Sequence, residues 1–186
     1  MTLPDTLALA RVLIVPVVVA LTVAGGGTDG NLAIAAGMFA IAAITDFFDG
    51  YLARRWKIES VLGAFLDTTA DKLLVTGSLL GLIAIDRVSV WAALIIIFRE
   101  IAVMGLRGIV AATGGIVRPS TWGKIKATAQ FVAIFLAFLR LGEPLGPWYL
   151  DEWAMAVAVV ATVASFWGYV AAFWEVVRSS RPGARV

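Results

Sequence analysis

The stretch that decides the fold runs from residue 46 to residue 71 and reads DFFDGYLARRWKIESVLGAFLDTTAD. It places four aspartates between two long apolar runs: Asp46, Asp49, Asp67 and Asp71. The first two are three residues apart and the last two are four apart, so each pair shares one face of a helix. Carboxylates close to hydrocarbon need water, basic partners or metal ions. The pattern therefore predicts a functional site that binds divalent metal.

The composition is that of a membrane protein. Of the 186 residues, 61% are hydrophobic, and the mean hydropathy is +0.93. The excess forms several runs near the length of about 20 residues that a membrane-spanning helix needs. We expect an all-α polytopic membrane protein, with six transmembrane helices in one bundle and a polar cavity facing the cytoplasm. One domain should cover residues 1–186. The first apolar run is too long for a cleaved signal peptide, so we expect it to be retained.

Glycine, proline and charged residues mark the boundaries of the six helices. We predict helices at about 5–25, 31–56, 60–85, 89–113, 120–141 and 147–178. Lys and Arg are concentrated at alternate turns and at the C-terminus, whereas the opposite turns are mainly acidic. Because positive residues mark the cytoplasmic side, both termini and the active site should be cytoplasmic. The expected location is the bacterial cytoplasmic membrane.

The residue types that are absent restrict the chemistry. The chain has no cysteine and no histidine, which removes disulfides, thiolate nucleophiles and the commonest general base. Acid–base chemistry must therefore use Asp, Glu, Lys or Tyr. Any metal must be a hard cation that prefers oxygen ligands, such as Mg²⁺ or Mn²⁺. The net charge of +2 is too small to indicate nucleic acid as a partner.

The two aspartate pairs should lie at matching depths. Asp49 precedes Ile58, near the turn between the second and third helices, by nine residues, and Asp67 follows it by nine. On antiparallel helices the four carboxylates then converge on one pocket. Two Mg²⁺ ions there would suit phosphoryl chemistry. Gly50 and Gly63 would allow close approach to the metals, and Arg54 would grip a phosphate.

The same stretch resembles the signature of the CDP-alcohol phosphotransferase family, D-x2-D-G-x2-A-R-x8-G-x3-D-x3-D, at all eight fixed positions. The resemblance implies six transmembrane helices, a homodimer and a site with two metal ions shared by the four aspartates. It implies that Asp71 is the general base and that Asp46, Asp49 and Asp67 are the main metal ligands. It also implies a CDP-lipid site shaped by Gly50, Ala53, Arg54 and Gly63. In this family an alcohol attacks the β-phosphorus of a CDP-linked lipid, and CMP leaves.

Three segments within roughly the first 135 residues resemble the phosphatidylglycerophosphate synthase branch of that family. The similar segments are Leu3–Val12, Arg99-Glu100-Ile-x3-Gly105-Leu106-Arg107 and Gly123-Lys124-x-Lys126-x3-Gln130. The branch implies CDP-diacylglycerol and sn-glycerol 3-phosphate as substrates, with membrane lipids around the enzyme. A cationic lining for the acceptor phosphate would come from Arg99, Arg107, Arg118, Lys124 and Lys126. The branch usually has Asn, Thr and Thr where this chain has Asp5, Ala8 and Ala127.

Several alternatives stay open from the sequence. The acceptor could be inositol phosphate or phosphatidylglycerol. An intramembrane prenyltransferase also uses aspartate pairs and Mg²⁺, and a small cation transporter could place acidic residues in a helix bundle. Arg99 and Glu100 could form a structural ion pair, and Lys126 is expected to contact lipid headgroups. Lys72 has either a carboxylate or a substrate phosphate as its partner. Gly77 and Gly81, four residues apart, are expected to allow close helix packing.

Overall fold

The computed structural model describes residues 3–24, 27–56, 61–112 and 121–179; within them, the side chains at 3–5, 7, 46–56, 61–65, 67, 121, 171–173 and 175–179 lie outside the description. The described residues form six α-helices: α1 (Leu3–Val23), α2 (Asp29–Trp56), α3 (Val61–Ala84), α4 (Val90–Ala112), α5 (Thr121–Leu139) and α6 (Leu150–Ser179). The prediction of six helices is confirmed, and each boundary lies within three residues of its predicted position.

Local hydrogen bonding explains where α3 ends and α6 begins. After α3, Asp86 takes a left-handed conformation (φ 56°), and the Arg87 N–H donates to the Leu82 carbonyl at 2.9 Å. This is the hydrogen-bond pattern of a Schellman C-cap. At the start of α6, the Glu152 carboxylate accepts from the Tyr149 N–H at 2.8 Å, as in a capping box. The helix begins later than predicted because residues 145–148 are held in a turn instead.

Glycines on α3 allow it to approach α1 closely. A Cβ on Gly77 would lie 2.6 Å from Cγ1 of Val15, and one on Gly81 would lie 3.3 Å from Cβ of Thr22. Real Cβ atoms do not tolerate the first distance, so a glycine is required there. The predicted role of these glycines in helix packing is confirmed. Residue numbers rise together along the two helices, so α1 and α3 run in the same direction.

Apolar side chains from all six helices fill the centre of the bundle. Phe39 of α2 packs with ring centroids 5.6 Å from Phe131 and 5.7 Å from Phe138, both on α5. Leu79 of α3 and Ile96 of α4 are fully buried in the same cluster. This core occupies the middle of the bundle and leaves its two ends to polar residues.

The outer surface of the bundle is apolar, and α4 shows this most clearly. Two of its three charged residues, Arg99 and Glu100, are buried, whereas Phe98 and Ile101 on its outer face are more than 60% exposed. A helix in water would have the opposite arrangement. Among the described residues, two windows are long and apolar enough to cross a membrane, Trp122–Leu139 and Leu150–Val170. Only a third of the residues in each of these two segments are buried inside the bundle. These features support a membrane protein; the six predicted spans stay a prediction.

Arginines fix the end of the bundle where α2, α4 and α6 begin. The Arg87 guanidinium donates to the carbonyl of Phe138 at 3.3 Å and lies 3.8 Å from the carboxylate of Asp29. Arg140 pairs with the buried carboxylate of Asp151 at 3.3 Å. Asp29 therefore places the start of α2 at this end. Since α2 has 28 residues, its last turns, which carry Asp46 and Asp49, lie towards the opposite end.

Candidate active site

A polar cavity of about 550 Å³ lies at the opposite end of the bundle from these arginine pairs. It is enclosed by the first half of α3, the second half of α4, the first half of α5 and a residue late in α6. Its charged lining comprises five basic and two acidic side chains: Lys72, Arg99, Arg107, Lys124, Lys126, Asp71 and Glu100. An excess of positive charge in a partly enclosed cavity favours an anionic ligand.

Glu100 is the centre of an ion-pair network across three helices. One carboxylate oxygen, Oε2, lies 2.9 Å from the Lys72 ammonium of α3. The other, Oε1, accepts from the Lys126 ammonium of α5 and lies 3.3 Å from Nη1 of Arg99. The Glu100 side chain is only 4% exposed, so it needs this compensation. It holds three cations in place around one wall of the cavity.

Lys72 extends the network to the predicted general base. Its ammonium lies 2.8 Å from Oδ2 of Asp71 and is shared with Glu100. The Asp71 side chain is 26% exposed and lines the cavity. A continuous chain of polar contacts therefore links Asp71 to the basic residues of α4 and α5. Lys72 fixes the direction of the Asp71 carboxylate.

Two arginines of α4 meet one tyrosine of α6. The guanidinium carbons of Arg99 and Arg107 lie 5.1 and 5.3 Å from the centroid of the Tyr169 ring, within the range of cation–π contacts. Nη2 of Arg107 also donates to the Tyr169 hydroxyl at 2.9 Å. Nε and Nη2 of Arg99 are buried without a hydrogen-bond partner among the described residues. Such donors are available to an anion.

A further polar contact joins the helices beneath the cavity. The Gln130 amide, on α5, donates to the Thr162 hydroxyl of α6 at 2.9 Å, and both side chains are buried. The Thr162 hydroxyl in turn donates to the carbonyl of Ala158 at 2.6 Å. These bonds fix the rotation of α5 relative to α6. They thereby fix which side chains of α5 reach the cavity.

Five of the residues that the sequence predicted for the site line this one cavity: Asp71, Arg99, Arg107, Lys124 and Lys126. Arg118 lies outside the described residues. The other predicted residues lie on described helices, but their side chains are outside the description: Asp46, Asp49, Gly50, Ala53, Arg54, Gly63 and Asp67. Their roles stay predictions. Of the three departures from the branch pattern, Ala127 lines the cavity and Ala8 is buried, while the side chain of Asp5 is outside the description.

The structure corrects one expectation and decides two open ones. Lys126 does not contact lipid headgroups: it is 4% exposed and paired with Glu100, because α5 turns this face inward. The adjacent residues Arg99 and Glu100 do form an ion pair, and both also line the cavity. The partners of Lys72 are two carboxylates, those of Asp71 and Glu100.

Tyr169 is a site residue that the sequence interpretation missed. It stands alone in an apolar helix and belongs to no motif. Nevertheless, the buried polar residues Thr162, Ser165 and Tyr169 are spaced three and four apart, on one face of α6. A polar stripe on an otherwise apolar helix signals a face turned towards a polar interior. This spacing was the feature of the sequence from which Tyr169 could have been identified as a site residue.

The residues of the aspartate motif fit a hard divalent cation in their donor chemistry. Four carboxylates supply only oxygen ligands, which Mg²⁺ and Mn²⁺ prefer. The one motif carboxylate whose side chain is described, that of Asp71, faces the cavity and engages Lys72 through a single oxygen, Oδ2. Among the described side chains, no three acidic groups converge as a metal site. A metal site would therefore need Asp46, Asp49 and Asp67, whose side chains lie outside the description.

This arrangement can bind a phosphorylated molecule beside a carboxylate. The guanidinium groups of Arg99 and Arg107 and the ammonium of Lys124 can hold a phosphate. Asp71 can accept a proton from a hydroxyl group on the same molecule. The apolar exterior of the bundle would at the same time allow the acyl chains of a lipid to remain in the membrane. These features match an enzyme that acts on a lipid headgroup.

Comparison with known proteins also indicates an enzyme that acts on a lipid headgroup. The family model described as CDP-alcohol phosphatidyltransferase matches residues 1–164. A CDP-diacylglycerol–glycerol-3-phosphate 3-phosphatidyltransferase of Bacillus subtilis is 37% identical, over 96% of this chain and 98% of the relative. A probable phosphatidylglycerophosphate synthase of Mycobacterium tuberculosis is 39% identical, over 91% and 80% of the two chains. A Rickettsia typhi protein with the same name as the Bacillus relative is 35% identical, over 90% and 94%. Sequence and architecture agree, and the chain belongs to the CDP-alcohol phosphatidyltransferase family.

Proposed function

We propose that this enzyme transfers a phosphatidyl group from CDP-diacylglycerol to sn-glycerol 3-phosphate, forming phosphatidylglycerophosphate and releasing CMP. The names of the relatives support both substrates. The observation that carries the proposal is that Asp71 and five basic residues share one cavity. Such a lining suits an acceptor that has both a phosphate and a reactive hydroxyl. Membership of this family counts against the prenyltransferase and transporter alternatives.

The basic residues of the cavity hold the acceptor. Arg107 and Lys124 have exposed side chains at the cavity wall, and Arg99 has buried donors without a partner among the described residues. Together they bind the phosphate of glycerol 3-phosphate and turn its hydroxyl towards Asp71. Lys126 and Lys72 contribute indirectly, because their charges are partly compensated by Glu100. The same network keeps the cavity wall rigid when the acceptor is absent.

Asp71 takes the proton from the acceptor hydroxyl. The hydroxyl oxygen then forms a bond to the β-phosphorus of CDP-diacylglycerol, and the bond from that phosphorus to the CMP oxygen breaks. Lys72 holds one oxygen of the Asp71 carboxylate and so keeps the base directed into the cavity. Two Mg²⁺ or Mn²⁺ ions, held by Asp46, Asp49, Asp67 and Asp71, would supply electrophilic activation of the pyrophosphate and neutralise charge on the leaving group. Gly50, Ala53, Arg54 and Gly63 shape the site for the CDP-lipid.

The membrane arrangement is also part of the proposal. All six helices have 19 to 30 residues, enough to cross a hydrocarbon core. We place six spans in the bacterial cytoplasmic membrane, with both termini and the cavity on the cytoplasmic side. Glycerol 3-phosphate, which is water-soluble, would then enter from the cytosol. The enzyme is proposed to act as a homodimer.

A panel of acceptors tests this function. Purified protein in mixed micelles receives labelled CDP-diacylglycerol with sn-glycerol 3-phosphate, inositol phosphate or phosphatidylglycerol, each with and without EDTA. We expect CMP and phosphatidylglycerophosphate in equal amounts with glycerol 3-phosphate only, and no product with EDTA. A product with inositol phosphate alone would assign a different acceptor. Full activity in EDTA would contradict the role of the metals.

A further inference from the structure

Tyr169 lies at the point where two like charges must be kept together. Arg99 and Arg107 are two turns apart on α4, and both guanidinium groups lie about 5 Å from the centre of one tyrosine ring. The ring is only 8% exposed, so it is fixed in the bundle. Tyr169 also lies beyond residues 1–164, the part of the chain that the family model matches.

We propose that Tyr169 is a positioning residue, which gathers Arg99 and Arg107 into a binding site for the acceptor phosphate. The proposal rests on the proposed function. An aspartate or glutamate in this place would also hold the arginines, but it would neutralise them and compete with the phosphate. The electron-rich face of an aromatic ring attracts both guanidinium groups without adding a negative charge. The arginines therefore stay close together and keep their positive charge for the ligand.

The cations of the cavity are therefore held in two different ways. Glu100 compensates the charges of Lys72 and Lys126, which become parts of the scaffold. Tyr169 adds no negative charge to Arg99 and Arg107, and among the described residues their one carboxylate contact is that of Arg99 with Glu100 at 3.3 Å. This division explains why two N–H donors of Arg99 are buried but have no partner in the described part of the chain. These donors are available to an anionic ligand.

The test compares two substitutions at Tyr169 with the same substitutions at Tyr149. Tyr149 also lies against an arginine, with the Arg140 guanidinium 4.8 Å from its ring centroid, but at the other end of the bundle. Tyr169→Phe keeps the ring and removes the hydroxyl that accepts from Arg107, whereas Tyr169→Leu removes both interactions. The pair Tyr149→Phe and Tyr149→Leu removes the same groups far from the cavity. All four variants are first checked for folding by size-exclusion chromatography.

We expect the KM for sn-glycerol 3-phosphate to rise about tenfold in Tyr169→Phe, the equivalent of one hydrogen bond to a charged group. In Tyr169→Leu we expect the same KM to rise about a hundredfold, since the cation–π contacts are lost as well. The KM for CDP-diacylglycerol and the kcat should stay within about twofold of wild type, as only the placement of the acceptor changes. The Tyr149 variants should match wild type for both substrates.

A second measurement separates this proposal from the proposed function. Inorganic phosphate should raise the thermal unfolding temperature of the wild type and of both Tyr149 variants, and the increase should be smaller in Tyr169→Phe and absent in Tyr169→Leu. If the wild type uses glycerol 3-phosphate but the Tyr169 variants keep its KM, the positioning role is wrong and the function stands. If the wild type does not use this acceptor, the function is wrong. In that case the rise in unfolding temperature caused by phosphate tests the role of Tyr169 by itself. An equal rise in all variants, or no rise in the wild type, would show that the positioning role is wrong.

Discussion

Replacing Glu100 with Gln tests whether the ion-pair network supports the site. The substitution keeps the shape of the side chain and removes its charge. Lys72 would still have Asp71 as a partner, whereas Lys126, which is 4% exposed, would lose the one carboxylate that the described contacts give it. Removing one partner of a buried ion pair costs about 3–5 kcal/mol, because the other charge is left in a medium of low polarity.

This magnitude converts to a measurable change in thermal stability. For a chain of 150–250 residues, 1 kcal/mol shifts the unfolding temperature by roughly 2–4 °C, so Glu100→Gln should lower it by about 6–20 °C. The assay is thermal unfolding in one fixed detergent, followed by the fluorescence of the seven tryptophans. The matched control is Glu152→Gln at the other end of the bundle. Glu152 is 39% exposed and lies 3.8 Å from Arg140, so its loss should cost no more than about 1 kcal/mol.

A double-mutant cycle identifies the cause. Lys126→Met removes only one of the three cations around Glu100, so we expect a smaller loss of about 1.5–3 kcal/mol. In the double variant Glu100→Gln/Lys126→Met the orphaned ammonium is gone. Its unfolding temperature should therefore equal or exceed that of Glu100→Gln alone, with a coupling free energy of about 1.5 kcal/mol or more. Losses that simply add, or a Glu100→Gln variant as stable as the Glu152→Gln control, would refute the reasoning.

Two further predictions concern the packing of α1 on α3 and the general base. Gly77→Ala should lower the free energy of unfolding by about 1–3 kcal/mol, because the new Cβ would lie 2.6 Å from the stiff side chain of Val15. The control Gly37→Ala has no atom within 4 Å and should be neutral or slightly stabilising in the same thermal assay, and equal effects would disprove the close contact. Asp71→Asn should reduce kcat about a hundredfold or more while CDP-lipid binding, measured with a labelled lipid, largely survives. An equal loss of binding and rate would show that Asp71 acts chiefly as a metal ligand.

The helices were predictable because their signals are local. Apolar runs of membrane length and the breaks between them gave all six helices to within three residues. The largest error was at the start of α6, predicted at residue 147 and found at Leu150. There the Leu145 N–H pairs with the Trp148 carbonyl at 2.8 Å, and Gly146 takes a positive φ. A glycine and proline pair predicts an interruption but not how far the resulting turn extends.

The composition of the site was predictable only in part, because it depends on how the helices rotate against each other. Arg99 and Arg107, both in the motif on α4, do line the cavity, and their binding of the acceptor phosphate stays a prediction. The sequence left Lys126 between the cavity lining and a headgroup contact, since a lysine near the end of an apolar helix fits both. Tyr169 is separated from Arg107 by 62 residues, and nothing local indicates that they meet. Such contacts are set by packing over the whole bundle.

The most direct test of the account is the dependence of the initial rate on sn-glycerol 3-phosphate in the variant Arg107→Gln. This residue lines the cavity with an exposed side chain, so its replacement should not disturb the core. We predict that the KM for glycerol 3-phosphate rises about tenfold or more, as expected for the loss of a charge-assisted hydrogen bond, while the KM for CDP-diacylglycerol stays unchanged. An unchanged KM for glycerol 3-phosphate, or an equal rise for both substrates, would contradict the assignment of this cavity as the acceptor site.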